Sequence, residues 1–164
     1  MSTNPDKPIR IVHFVNQFFA GIGAEESANH PVEVRKGPVG PGNAFEKALN
    51  ENGKIVATIV AGDNYFNEQA ETSKVAVLNA LNEYNPDLVI AGPAFNAGRY
   101  GLSCAEVCHL ALIDGVPAVT GMFDENPGTL TYRKETIIVP TSEGVSGMAQ
   151  AIDTMTRIGL KMAA

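Results

Sequence analysis

Cys104 and Cys108 stand four residues apart in a helical pattern, a spacing that puts two thiols on one helix face. A thiol there becomes a nucleophile or one half of a redox pair once its pKa falls, and the helix start near Gly98 and Arg99 is the feature expected to lower that of Cys104. Core packing is the simpler account of the same pair, because buried cysteine behaves as a small hydrophobe. His109 points away from the pair, and His13 and His30 are isolated, so no metal site is expected.

Two acid and amide pairs come next. Asp63 with Asn64, and Glu125 with Asn126, have the chemistry to bind a cationic amino group or to move a proton, although turn formation accounts for the same residues. Arg99 has a planar fork that matches a carboxylate bidentately, and a surface or helix-cap role fits the same residue about equally well. Asn16 and Asn96 add amides in neighbouring loops. The aromatic residues Tyr65, Phe66, Phe95, Tyr100 and Phe123, with Phe18 and Phe19, also fall in or beside loops, where exposure is wasteful; they predict a pocket or an interface.

These residues need elements to hold them. Five apolar, β-type runs, Ile9 to Val15, Ile55 to Val60, Leu88 to Ala91, Pro117 to Thr120 and Thr136 to Val139, each end near a Gly-, Asn-, Asp- or aromatic-rich loop. Most are continuous rather than alternating, as expected of strands covered on both faces. Helical stripes follow, with Ala70, Lys74, Val77, Leu78 and Leu81 marking one and Val145, Met148, Ala149, Ile152, Met155 and Gly159 another. Pro41 suits a first helical turn, and Asn85-Pro86-Asp87 suits a helix end.

Alternating strand and helix predicts an α/β fold: a three-layer sandwich, Rossmann-like or flavodoxin-like, with a mostly parallel sheet of about five strands in the order 2-1-3-4-5. If the strands are parallel, the loops meet at one sheet edge, where such folds bind ligands. Two segments resist the pattern. Residues 122–135 carry no helical stripe, which leaves the fifth strand free to be antiparallel or an edge. Residues 16–40 form a long loop with no clear periodic element, a kind of insertion that is usually functional.

The chain of 164 residues reads as one domain, with residues 1–8 expected to be flexible. Its 12 basic and 18 acidic side chains, without a Lys/Arg cluster, argue against nucleic acid or an anionic membrane as partner. No signal segment or membrane-length apolar run is present, which predicts a cytoplasmic protein with reduced thiols. Nucleotide loops also fail: Gly21-Ile22-Gly23-Ala24-Glu25-Glu26 puts two carboxylates where a pyrophosphate needs none, and Pro38 and Pro41 remove amide donors from the Gly37 to Gly42 turn.

Taken in order, the stretches Val15 to Glu26, Gly37 to Gly42, Gly62 to Asn67, Ala91 to Gly101, and Pro117 to Met122 with Glu125 to Gly128 resemble the selenoprotein B subunit of glycine/sarcosine/betaine reductases. The resemblance spans most of residues 9–160. It implies a subunit of a reductase complex, a hetero-oligomer that binds an amino-acid-like substrate and cleaves its carbon–nitrogen bond reductively. It also implies that a pyruvoyl group and a selenocysteine (or Cys) reside on partner chains, with no cofactor in this one; Cys104 and Cys108 match cysteines of the family pattern. Members are much longer and carry the selenocysteine motif in a C-terminal part, so the resemblance is to their N-terminal domain: either that domain alone, or a split subunit with the redox centre expected on another chain. The site set under this reading is Cys104, Cys108 and Glu125 as catalytic candidates, and Asn16, Asp63, Asn64, Tyr65, Phe66, Asn96, Arg99, Tyr100 and Asn126 around the substrate. Still open are a stand-alone ligand binder, a Cys-dependent isomerase, and a structural subunit that assembles a complex through its aromatic loops.

Overall fold

A computed structural model describes residues 7–164; of the stretch expected to be flexible, residues 1–6 lie outside the described residues. The elements, in chain order, are β1 (Ile9–Asn16), β2 (Glu33–Lys36), α1 (Gly42–Leu49), β3 (Gly53–Ala61), α2 (Asp63–Glu68), α3 (Ala70–Tyr84), β4 (Leu88–Phe95), α4 (Gly98–Ile113), β5 (Ala118–Met122), α5 (Pro127–Tyr132), β6 (Ile137–Pro140) and α6 (Met148–Ala163). They build one mostly parallel sheet in the order β2-β3-β1-β4-β5-β6. The five predicted strands thus take the predicted order, and β6 pairs parallel with β5, which settles the direction of the fifth.

Strand alternation makes the three layers. Val12 and Phe14 of β1, and Val89 and Ala91 of β4, enter one core with Val77 and Leu81 of α3 and Cys104, Val107 and Cys108 of α4. Their neighbours Ile11, Leu88 and Ile90 point to the opposite face, where Phe45 and Leu49 of α1 and Ile152 and Met155 of α6 close a second core. Both faces of the central strands are therefore buried, the physical reason those runs are continuously apolar. At the end of α3, Asn85 takes the left-handed conformation at φ 46° and Pro86 follows, which stops the helix as the sequence indicates.

Two differences from expectation concern the segments that lacked periodicity. The long loop contains β2, which pairs antiparallel with β3 at the sheet edge, Glu33 opposite Val60 and Lys36 opposite Ala57. Its sequence Glu-Val-Arg-Lys reads as solvated chain, because an edge strand carries charge to discourage pairing with other chains. Residues 122–135 contain α5, six residues long, too short to show a stripe; it starts because Asn126 Oδ1 accepts the Gly128 N–H and Pro127 fills the first turn.

Candidate functional site

Four of the five loops at the carboxyl edge meet around one cleft of about 470 Å³. Asn16, Gln17, Phe18 and Phe19 come from the end of β1, Asp63 from the start of α2, Ala94 to Ala97 and Tyr100 from the β4–α4 junction, and Glu143 to Val145 from the loop after β6. Four aromatic rings, Phe18, Phe19, Phe95 and Tyr100, stand in the walls. Phe19 lies 5.8 Å from Tyr100 and 5.3 Å from Phe18, centroid to centroid, while Tyr100 also packs on Phe14 below.

The floor is a hydrogen-bonded amide and acid cluster. Asn16 Nδ2 donates to Asp63 Oδ2 at 3.2 Å, and Asn16 Oδ1 accepts the Phe19 N–H at 3.0 Å. Gln17 Oε1 accepts the Asp63 N–H, and Gln17 Nε2 reaches the Ala24 carbonyl. Asp63 is 9% exposed, and its Oδ1 has no partner. Burial raises the Asp63 pKa above the ordinary carboxylate value, opposed by the Asn16 hydrogen bond and then by the Arg99 charge. The Tyr100 hydroxyl is likewise buried without a partner, and burial, with Cys104 and Asp63 beside it, pushes its pKa well up.

The long loop folds back to roof this floor. The Ala28 carbonyl accepts the N–H groups of Asn64 (2.8 Å) and Tyr65 (3.0 Å), and the His30 carbonyl accepts that of Gly62. The amino terminus of α2 is thereby capped by backbone rather than left open to an anion. Gly62 permits the approach, since a Cβ there would stand 2.2 Å from the Ala28 oxygen. On the rim, Arg99 holds the loop in place: Nη2 meets Glu25 at 2.5 Å, and Nη1 donates to Asn64 Oδ1.

The β4–α4 junction needs its own support. Gly92 and Phe95 both adopt positive φ, 81° and 52°, and the ladder with β5 shifts between Ala91 and Phe95. Side chains brace the junction's carbonyls: Thr120 Oγ1 donates to Ala91, His13 Nε2 to Gly92, and Asn126 Nδ2 to Phe95 and Ala97. Those bonds hold Phe95 in a conformation that costs a non-glycine residue on the order of 1–3 kcal/mol.

The predicted residues therefore separate. Asn16, Asp63, Asn96 and Tyr100 converge on the cleft, and Arg99 with Asn64 forms its rim. Asn126 is fully buried and spends its amide on backbone, so its part is to hold the junction rather than to touch a ligand. Phe66 belongs to the core against Phe14, Tyr65 is half-buried outside the cleft, and Glu125 is exposed beyond its lining.

The cysteines lie in the core, outside the cleft lining. Both are completely buried, and burial raises the Cys104 pKa well above its ordinary value while Cys108 is pushed up to about 12. The helix start does not lower Cys104, because Cys104 lies in the second turn of α4 and the dipole effect is confined to the first. Gln17, Glu25 and Glu143 were not singled out as site residues from sequence; only their position in the Gly-rich loops marked them, and pairing with Asp63, Arg99 and Asn96 gives them their place.

Among the described residues, no group of three or more His, Cys, Asp and Glu side chains converges on a metal position, and no helix is long and apolar enough to cross a membrane. The profile of the family glycine/sarcosine/betaine reductase selenoprotein B matches residues 8–164. The chain belongs to this family. It is 50% identical over 157 residues to the glycine reductase complex component B subunit gamma of Symbiobacterium thermophilum, covering 95% of this chain and 37% of that protein. Two proteins of Peptoclostridium acidaminophilum are also similar. The sarcosine reductase complex component B subunit beta is 40% identical, with 96% of this chain and 36% of that one aligned. The betaine reductase complex component B subunit beta is 31% identical, with 94% and 36% aligned. The chain thus spans little more than a third of the length of these reductase relatives, and the aligned third contains the whole cleft described above.

Proposed function

We propose that this chain is a component-B-type subunit of a glycine/sarcosine/betaine reductase complex and forms one wall of its substrate site. The observation that carries the reading is the cleft at the carboxyl edge of the sheet: recognition groups of both signs surround an aromatic pocket in a chain of this family. The substrate is glycine or an N-methylated glycine, whose carbon–nitrogen bond the complex cleaves reductively. A pyruvoyl group on a partner chain engages the substrate, and the selenocysteine or Cys redox centre lies outside these 164 residues. Arg99 is the rim cation for the substrate carboxylate, which takes the place of Glu25 on the guanidinium; Asn64 and Asn96 flank it. Phe18 and Val145, both lining the cleft and 59% and 57% exposed, offer apolar contact to the companion subunit that completes the site.

Affinity purification of the tagged chain from its native host tests this. Companion subunits should co-purify, and reductive deamination by the recovered complex should fall when Arg99→Ala replaces the parent chain. Recovery of the chain alone, with no reductase activity restored by adding host fractions, would overturn the reading.

A further inference from the structure

Asp63 and Tyr100 both line the cleft, and Asp63 Oδ1 and the Tyr100 hydroxyl are buried oxygen atoms without a hydrogen-bond partner. The other polar atoms of the floor are committed: Asn16 to Asp63 and to the Phe19 N–H, Gln17 to the Asp63 N–H and the Ala24 carbonyl. A carboxylate oxygen accepts and does not donate, so the group that satisfies Asp63 must bring an N–H or O–H. Resting on the reading of this cleft as a substrate wall, we propose that it takes the ammonium end of its ligand, with Asp63 as counter-ion and the Tyr100 hydroxyl as second acceptor. The rings of Phe19, Phe95 and Tyr100 bound the pocket and receive the alkyl part of the cation.

The number of unpaired acceptors decides which ammonium fits. Primary and secondary ammonium groups bring at least two N–H donors and satisfy both oxygens. A quaternary ammonium brings none; it keeps the attraction to the rings and to the Asp63 charge but leaves both oxygens unpaired, at the usual cost of buried, unmade hydrogen bonds. The cleft therefore discriminates by N–H donors, favouring glycine and N-methylglycine over N,N,N-trimethylglycine by roughly tenfold.

Calorimetric titration of the full chain with those three compounds, and with acetate and propionate as ligands lacking nitrogen, tests the assignment. Glycine and N-methylglycine should bind, the trimethyl compound should bind roughly tenfold more weakly, and the carboxylates alone should bind more weakly still. Asp63→Asn should abolish binding of the amines. Tyr100→Phe removes a hydroxyl with no partner in the fold, so it should fold normally while narrowing the ratio between N-methylglycine and the trimethyl compound, which a merely structural role would not do. Equal or tighter binding of the trimethyl compound overturns the proposal, as does unchanged binding by Asp63→Asn. Carboxylates that bind as well as the amines overturn it too, while leaving the substrate-wall reading intact. Absence of binding by every ligand also overturns it, and co-purification with companion subunits then decides the wider reading separately.

Discussion

Asn126 shows how much a single side chain can hold. Its Oδ1 accepts the Gly128 N–H and starts α5, and its Nδ2 bridges the Phe95 and Ala97 carbonyls at the cleft. Both carbonyls keep a second donor, Phe123 N–H and Gly101 N–H, so Asn126→Ala loses a cap and leaves one buried amide orphaned. The expected destabilisation is about 2 kcal/mol in urea unfolding, with unchanged m-value. His13 gives a different residue-scale prediction. Burial lowers its pKa from 6.5 to about 4. The unfolded chain therefore binds a proton that the folded one refuses, so stability is full above the unfolded pKa and falls as pH drops from 6.5 toward 4. The loss from this one residue is roughly 3 kcal/mol at the acid end. In His13→Gln, which retains an N–H donor for Gly92, pH-dependent melts should lose that part of the slope.

At the scale of elements, the long loop is attached to the sheet by backbone as much as by charge. A Cβ on Gly62 would meet the Ala28 carbonyl at 2.2 Å and the His30 nitrogen at 2.6 Å, neither of which can swing aside as a side chain does. Gly62→Ala should therefore lift the loop from α2, and hydrogen exchange at the Asn64 and Tyr65 amides should accelerate by an order of magnitude or more. Arg99 contrasts with this. The Arg99–Glu25 pair is solvent-facing, at 42% and 71% side-chain exposure. Arg99→Ala should thus shift unfolding by less than about 1 kcal/mol while weakening substrate capture, a separation visible by comparing melts with titrations. Two of the elements that escaped sequence reading, β2 and α5, lie beside these attachments. One is a charged four-residue edge and the other a six-residue helix, both shorter than the window over which periodicity accumulates.

At the scale of the whole molecule, the thiols report on global integrity. Cys104 and Cys108 sit between α4 and the sheet with no exposed surface, so alkylation in native buffer should be negligible and should track unfolding across a urea titration. Rapid labelling of Cys104 in the folded chain would restore the thiol-enzyme alternative.

Strand and helix order, the two-faced burial of the central strands and the family were all legible in the residues, because continuous Val/Ile runs, helical stripes and ordered loop motifs are local patterns that survive without coordinates. The strand order followed as well, since parallel α/β chains permit few arrangements. Which loop residues face the cleft was decided only by tertiary structure. Asn16, Asn64, Asn96 and Asn126 are the same amino acid near the same sheet edge, yet one floors the site, two edge it and one is spent on the backbone carbonyls of Phe95 and Ala97. The same holds for Cys104, whose spacing alone suited either a nucleophile or a core residue. Its burial follows from how α4 lies on the sheet, a long-range packing outcome that no local spacing encodes.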